Sequence, residues 1–351
     1  MKVDTQMKKP IVDRRMTIAE IAEVAGVSIS TVSKVLNQRS DVGTATRLHI
    51  EEIVARHGYV RNHAARVLRK GLSGLVDLVV PGLDVDYSAL VISGVEEVLT
   101  SAQVRLVLST THTQEAQYEK QWLAHILDKS TDGVVLLIPY NSAEAVAQLR
   151  SHQVPFVIID DRSESDASIP SVGATNWAGS WAAMEYLLSL NHRRIAMIAG
   201  TPTIMSSRVR VAAYTAALQA AGITPDPDLI RKGDFLPEAG YQETLALLAL
   251  PDPPTAIFAS NDLTAAGVYL ALYEQRIAVP EQMSVIGFDN IPSSALATPP
   301  LTTVHQPLKA MGKAAANMLL KMISGEQLED TRVELPTSLV VRKSCAPPYH
   351  R

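Results

Sequence analysis

The chain holds a single cysteine, Cys345, in 351 residues. One thiol excludes an intrachain disulfide framework and a cysteine-rich metal site, and it suits a reducing cytoplasm. Long apolar runs are missing too: none approaches the roughly 18 residues needed to span a bilayer. Lys8, Lys9, Arg14 and Arg15 make the N-terminal stretch basic, yet no apolar segment of the secretory kind follows them. Catalytic signatures are equally scarce. There is no G-x-S-x-G elbow, no G-x-x-x-x-G-K-[ST] phosphate loop, no G-x-G-x-x-G fingerprint and no H-E-x-x-H pair. The nine histidines are scattered, with His305 at a chain crossing and His192 at a helix end, where capping is the usual role. Asp160 and Asp161 are neighbours on an extended segment and point to opposite faces, so they make a poor acid–base pair. The expectation is a cytoplasmic protein that is not an enzyme, with no cofactor, no metal and no membrane partner.

What is present begins at TIAEIAEVAGVSISTVSKVLN, Thr17 to Asn37. Thr17 and Glu20 have the spacing of a capping box, which predicts a helix from there to about Ala25. Gly26 stops it, and Ser28 is a good N-cap for a second helix over Ile29–Leu36. Ile21, Ala22, Ala25, Val32, Val35 and Leu36 form one apolar seam, with small alanines where the helices cross. Ile29, Ser30, Ser33 and Lys34, followed by Asn37, point outward with the short polar and basic chemistry that suits base edges and phosphates. This is a helix-turn-helix, a unit that places its second helix in the major groove; an ordinary helical hairpin with a solvated face is the plainer alternative. A third helix over Thr44–His57 supplies Ile50, Ile53 and Val54 to close a three-helix core.

After Gly58 the chain reads YVRNHAARVLRKG. Asn62 could cap a short helix that Gly71 ends, with Arg66, Arg69 and Lys70 beside Leu68. A helix that short is marginal alone in water. A hinge that folds on DNA and a plain basic linker both fit. Charge supports a polyanion partner: residues 1–70 carry 13 Lys+Arg against 7 Asp+Glu, and the remainder 19 against 29. The basic end meets DNA and the acidic body stays off it.

From Leu75 the pattern alternates short apolar runs with longer amphipathic stretches. Strands are predicted at Leu75–Val80, Val104–Ser109, Gly133–Ile138 and Val154–Asp160, with helices Tyr87–Ser101, Gln114–Lys129 and Ser142–His152 between them. A second series has strands Arg194–Ala199, Thr255–Ser260 and Met283–Phe288, with helices Asn176–Leu190, Ser206–Ala221, Glu238–Leu248 and Leu263–Gln275. Continuous apolar strands in βαβ order predict parallel sheets covered on both faces. Two doubly wound lobes leave a cleft at the carboxyl ends of their strands. Tyr87, Asp160, Asp161 and Arg162 follow strands of the first lobe; Arg210, Phe235, Asn261, Asp262 and Asp289 hold matching places in the second. Carboxylates with Asn and Arg suit sugar hydroxyls, and Tyr87 and Phe235 suit the C–H face of a ring. Each has a plainer role too: Asn261 as a helix cap, Arg210 as a surface ion pair, Phe235 as core. Trp177 and Trp181, on one helical face, are expected to pack rather than stack on a ligand.

AEVAGVSISTVSKVLN and GYVRNHAARVL resemble the DNA-binding headpiece and hinge of the lactose-repressor (LacI/GalR) family. The likeness continues in order through GVEEVL, TDGVVLL, VPFVIIDDR, TNWAG, HRRIAMIAG, SRVRVAAYTAAL, ASNDLTAAGVYLAL, VPEQMSVIGFDN and PPLTTVHQP, over more than three hundred residues. Arg61, Asn191 and Thr175 stand where the family usually has proline, glycine and aspartate. The resemblance implies an α/β protein with a small all-helical headpiece and hinge helix, joined to a two-lobed, periplasmic-binding-protein-like core of doubly wound parallel sheets. Residues 1–15 read as a flexible basic tail, and the resemblance implies a headpiece over 16–61, a hinge and linker over 62–73 and an effector-binding, dimerising core over 74–351. The first lobe would take about 74–172 and 304–331, and the second about 173–303 and 332–351, completed by last strands near Val333–Val341.

The resemblance also implies roles. Tyr59 falls where family members touch the DNA backbone, and Leu68 matches the leucine that wedges into the minor groove. Thr17, Ser28, Thr31 and Thr46 join the headpiece set, and Asn62, Ala65 and Arg66 the hinge set. Arg210 and Asp289 match effector-contacting positions. The implied function is a ligand-responsive repressor, acting as a homodimer on a pseudo-palindromic operator, with a mono- or oligosaccharide effector. A co-repressor-dependent regulator taking a nucleobase or phosphosugar is one alternative. An α/β enzyme with a fused DNA-binding head and a free-standing sugar receptor are two others; the helix-turn-helix and missing export signal count against the last.

Overall fold

In a computed structural model of the chain, the described residues are 16–36, 39–57, 59, 72–82, 86–111, 122–124, 126–137, 143–160 and 168–348. They divide into two compact units, Met1–Ser73 and Gly74–Arg351.

The first unit is a three-helix headpiece. Helix α1 (Ile18–Val24) starts at the capping box: the Thr17 hydroxyl accepts from the Glu20 N–H at 3.3 Å, and the Glu20 carboxylate accepts from the Thr17 N–H at 2.6 Å. Two of the orphan donors at the helix start are thereby satisfied. Gly26 turns the chain with φ +63°, a left-handed conformation natural to glycine. Helix α2 (Ile29–Leu36) follows, the Ser28 hydroxyl accepting from the Thr31 N–H at 3.2 Å. Helix α3 (Thr44–Arg56) lays Ile50 and Ile53 against Ile21, Ala22, Ala25, Val32 and Val35 in one buried cluster.

The second unit contains two six-stranded sheets. The first is built from β1 (Leu75–Val80), β2 (Arg105–Thr110), β3 (Gly133–Leu136), β4 (Phe156–Ile159), β5 (Ser171–Ala174) and β11 (Arg332–Leu335), in the order β2-β1-β3-β4-β5-β11. The second uses β6 (Ile195–Ile198), β7 (Ile230–Arg231), β8 (Ala256–Ala259), β9 (Ser284–Asp289), β10 (Thr302–His305) and β12 (Ser338–Val340), in the order β7-β6-β8-β9-β10-β12. Both run in the same doubly wound sense, and all pairs are parallel except β10 with β12. Helices α4 (Asp86–Ser101) and α11 (Leu308–Ser324) cover one face of the first sheet, and α5 (Ala143–Ser151) with the Ile126–Ser130 π turn covers the other. On the second sheet, α6 (Asn176–Ser189) and α7 (Met205–Ala220) oppose α8 (Pro237–Leu248) and α9 (Asp262–Glu274), and the short α10 (Pro292–Leu296) follows β9. Fully buried Val, Ile and Leu on the central strands show why those runs read as continuous apolar segments. No described helix is long and apolar enough to cross a membrane.

Helices α4 and α11 approach so closely that a Cβ on Gly94 would collide with the Lys309 carbonyl oxygen, and one on Gly312 with that of Val91. Asn191 takes φ +69°, where the resemblance leads one to expect glycine; asparagine is among the residues that tolerate this region.

Several expectations change. The segment Val333–Val341 does not complete the second lobe as one piece: β11 joins the first sheet beside β5, and only β12 joins the second. Its alternating exposed and half-buried residues mark an edge strand, without the apolar run that identified the others. Residues 302–305 form a strand of the second sheet before the chain crosses, and 171–174 form one of the first. The helix expected at Gln114–Lys129 lies mostly outside the described residues, and its described end is a π turn from Ile126. His192 caps the end of α6 through its backbone N–H alone, which donates to the Leu187 carbonyl at 3.2 Å; its side chain turns elsewhere, Nδ1 meeting Thr255 Oγ1 at 2.8 Å and Nε2 meeting Ser284 Oγ at 3.0 Å and the Ala346 carbonyl at 2.9 Å. Burial holds its pKa below the ordinary value. Trp181 packs on the second lobe's core, but Trp177 is 46% exposed.

Three short crossings join the lobes: β5 to α6, β10 to α11, and β11 to β12. Two of them are tied together. The Thr337 N–H donates to Thr175 Oγ1 at 2.9 Å, and the Thr337 hydroxyl donates to the Thr175 carbonyl at 3.1 Å.

Candidate functional site

The DNA-reading candidates gather on one helix and its flanks. Ser28, Ile29, Ser30 and Lys34 are exposed, while Thr31, Ser33 and Thr46 are half-buried. The Ser28 hydroxyl also bonds Ser30 Oγ at 2.7 Å and Thr31 Oγ1 at 2.9 Å, so these short side chains form one polar cluster at the start of α2. Thr17, exposed, is spent on its capping box. Tyr59 packs against the headpiece core and is half-buried. Lys34 Nζ lies 2.7 Å from Asp41 Oδ2, and this pairing lowers the Asp41 pKa. Asn37, Asn62, Ala65, Arg66 and Leu68 lie outside the described residues, as does Arg162 of the cleft set.

In the core, the strand ends bring the remaining cleft candidates together. Asp160 follows β4 with φ +61°, and Asp289 ends β9 with φ +107°. Such conformations are costly for non-glycine residues and gather at functional positions. Tyr87, in the first turn of α4, donates its hydroxyl to Asp160 Oδ2 at 2.9 Å. Across the cleft, Arg210 on α7 and Asp289 are buried, at 2% and 5% exposure. Arg210 is therefore no surface ion pair. Its Nε donates to Asn176 Oδ1 at 2.9 Å and its Nη1 to the Ser260 carbonyl at 2.5 Å, and its Cζ stands 3.6 Å from the centre of the Phe288 ring. Gln306 donates its amide to Asp289 Oδ1 at 3.0 Å and accepts from Arg210 Nη2 at 3.5 Å.

Electrostatics tie the two lobes' groups into one site. Burial raises the Asp289 carboxyl well above the ordinary range; Arg210 opposes that, and Asp262 and Asp160 add to it. Burial also raises the Tyr87 hydroxyl, reinforced by the charges of Asp160 and Asp289. The Tyr87–Asp160 pair thus lies close enough to Asp289 and Arg210 to feel their charge. An arrangement of one cation, two carboxyls and a phenol offers donors and acceptors to a polyhydroxyl ligand.

The other two candidates are differently placed. Phe235 sits at φ +70° with its ring over Gly200, where any Cβ would collide with it. It is half-buried, and the Arg210 Cζ lies 6.0 Å from its centre. Asn261 caps α9 by accepting from the Thr264 N–H at 2.9 Å, and its amide donates to the Phe235 carbonyl at 3.1 Å. It holds the aromatic loop in place. Among the described residues, no three His, Cys, Asp or Glu side chains gather as metal ligands would.

Residues 17–62 match the family described as bacterial regulatory proteins, lacI family, and residues 184–345 match the periplasmic binding protein-like domain. The HTH-type transcriptional repressor CytR of Escherichia coli (strain K12) is 31% identical over 341 residues, 96% of this chain and 98% of that protein. The chain belongs to the lacI family of bacterial regulatory proteins. A second lacI-family relative, the repressor PurR of Edwardsiella ictaluri (strain 93-146), is 31% identical over 94% of this chain and 97% of its own length. Among solved structures, the lac repressor dimer bound to operator and the anti-inducer ONPF superposes with a TM-score of 0.83 at 28% identity, covering 95% of this chain and all of that one. The transcriptional regulator CelR–cellobiose complex reaches 0.73 at 31% identity, covering 94% and 100%. The protein is a DNA-binding, ligand-responsive transcriptional regulator, and these relatives are regulators rather than enzymes.

Sequence reasoning missed Asn176, Phe288 and Gln306 as members of the polar cluster. Each lies inside a quoted family segment, TNWAG, VIGFDN or HQP. What periodicity could not show is that three separate segments converge on one guanidinium. Asp262, beside Asn261, was grouped with the cleft but is buried, accepting from the Ile291 N–H at 3.0 Å and the Thr303 hydroxyl at 2.5 Å.

Proposed function

We propose that this regulator is a repressor of carbohydrate-utilisation genes whose effector is a mono- or oligosaccharide held between Tyr87–Asp160 and Arg210–Asp289. The observation that carries this reading is the buried Arg210–Gln306–Asp289 cluster on one lobe, in electrostatic contact with Tyr87–Asp160 on the other. A sugar between them would satisfy both sides through its hydroxyls and lay its C–H face on Phe235. Structural relatives support the class: one is a cellobiose complex and another, from Enterococcus faecium at 27% identity, holds ribose.

The reader of DNA is a homodimer. One headpiece spans a few base pairs, and two are needed for a pseudo-palindromic operator. The second lobe exposes Leu270 on α9, Tyr273 at 79% and Leu296 at 83%, apolar surface that a second copy would cover. Ser30 and Lys34 would read base edges, Tyr59 the backbone, and Leu68 would wedge into the minor groove. A thermal-shift screen over sugars and nucleobases tests the effector class, because a ligand that binds the folded state raises its melting point. A sugar that raises it and also shifts operator affinity supports the reading. A response to nucleobases with none to sugars overturns it.

A further inference from the structure

Beside the polar cluster, on the flank of the crossings, lies a cavity of about 480 Å³ that none of the cleft candidates named above lines. Leu90 and Leu308 supply its apolar part, and Asn290, His305, Lys309 and Arg342 its polar part; Gln306 borders both places. Among the described residues, no acidic side chain lines it.

Its cationic side is preorganised. Arg342 Nη2 donates to Asn290 Oδ1 at 2.6 Å, and Nη1 donates to the Leu301 carbonyl at 2.7 Å and Ser294 Oγ at 3.2 Å. All of these acceptors are neutral, so the guanidinium is held in place without being neutralised by a carboxylate hydrogen bond. Asp262 is near enough to feel Arg342, but burial raises that carboxyl to about 7. Because Asn290 Oδ1 faces Arg342, its amide nitrogen is the atom facing His305 Nδ1 at 3.1 Å. That contact makes Nδ1 the acceptor and leaves the ring proton on Nε2, a donor on a cavity-lining ring. Lys309 Nζ pairs with Glu97 at 3.0 Å with both side chains half exposed, and Glu97 holds Lys313 as well, so Lys309 is free to exchange partners. Lys309 and Ala310 also belong to the first turn of the seventeen-residue α11, whose start carries no side-chain cap, so its dipole adds to the positive field.

We propose that this cavity is a second ligand site, for a small phosphorylated metabolite, separate from the sugar cleft. A phosphate group has the charge to meet Arg342 and Lys309 and enough oxygens to accept from His305 as well. The apolar part beside Leu90 and Leu308 receives the rest of the molecule. Because Leu90 and Lys309 belong to the first lobe and Asn290 and Arg342 to the second, an occupant bridges the lobes at their crossings. It would thereby bias the same interlobe arrangement as the sugar.

The test is a thermal-shift titration of the full-length protein with glycerol 3-phosphate and inorganic phosphate, set against glycerol and against potassium chloride at matched ionic strength. The expected result is a saturable rise with glycerol 3-phosphate and none with glycerol. Lys309→Gln and Arg342→Lys should each weaken that binding about tenfold or more, the loss of one charge-assisted hydrogen bond, and Tyr87→Phe, on the sugar side, should leave it intact. Lys309 is a half-exposed surface side chain, so its variant decides the matter even if Arg342→Lys misfolds. A rise that matches the chloride control overturns the proposal. So does saturable binding that Lys309→Gln leaves unchanged. Retention in Tyr87→Phe separates this site from the sugar cleft, whose failure as a sugar site would leave the result standing.

Discussion

Arg210 Nη1 lies 3.9 Å from Asp289 Oδ1, beyond hydrogen-bond reach, and Gln306 bonds to both. A buried guanidinium and a buried carboxyl are thus held apart by an amide rather than closed on each other. Arg210 gives three N–H donors to Asn176, Ser260 and Gln306, and a guanidinium has five, so bonding capacity is left for a ligand.

Arg210→Ala and Asp289→Asn should therefore bind operator normally without sugar and fail to change that affinity when sugar is added. Each lost ligand contact is worth about 1–3 kcal/mol, and losing the difference in affinity between two conformations uncouples the switch. Operator titrations with and without the sugar found by screening measure this. A full wild-type shift in both variants would assign the cleft to the wrong residues.

On the headpiece, the Lys34–Asp41 pair joins the reading helix to the loop before α3. Lys34→Ala should weaken operator binding by roughly 1–3 kcal/mol if the lysine meets a guanine edge, and wild-type binding should fall steeply with salt. Asp41→Asn removes a negative charge beside the proposed reading helix and the tether that directs Lys34. Its expected effect is tighter binding to random DNA with a smaller operator preference, read by competition titration at fixed salt.

Asp262 makes stability depend on pH. Burial raises its carboxyl from 3.8 to about 7, so its contribution is complete below the unfolded value and is lost as pH rises through about 7. Asp289, also raised, acts in the same direction. Urea unfolding across pH 4 to 8 should show stability falling by something on the order of 2–4 kcal/mol from Asp262. Asp262→Asn should be less stable at low pH yet show a shallower slope. An identical slope in the variant would locate the titrating group elsewhere.

Gly94→Ala tests the contact between α4 and α11. Its new methyl would meet the Lys309 carbonyl, a backbone atom that moves only with its helix, so a loss of about 1–3 kcal/mol is expected in denaturant unfolding. A neutral result would mean that the two helices separate freely.

The headpiece was the most legible part of the chain because its signals are local. Thr17, Glu20, Gly26 and Ser28 act within a few residues of themselves, and each does so in the structure. Central strands such as β3 (GVVL) and β4 (FVII) were visible as unbroken apolar runs. Strands β5, β7 and β11 were not: β5 reads SVGA, buried but with Ser171 and Gly173 interrupting its apolar run, while β7 and β11 are edge strands whose residues are half-buried or exposed. In the cleft, Arg210 and Asp289 were named through resemblance, while Gln306 between them was not. Its role depends on two partners 96 and 17 residues away, a relationship that no local pattern carries. Asn261 shows the reverse: NDL before an apolar stretch announces a helix cap, and capping is what its oxygen does.

Strands β11 and β12 come from one stretch near the C-terminal end, yet each finishes a different sheet. The order of synthesis therefore matters. The headpiece leaves the ribosome before the lobes and has all its core side chains at once, whereas β5 and β10 emerge with one edge still open. Until translation delivers residues 332–340, both lobes present unpaired backbone, the kind of edge that nascent chains join to one another. A message broken just before that stretch would yield a protein able to fold its DNA-reading head while leaving both halves of its sensor unfinished.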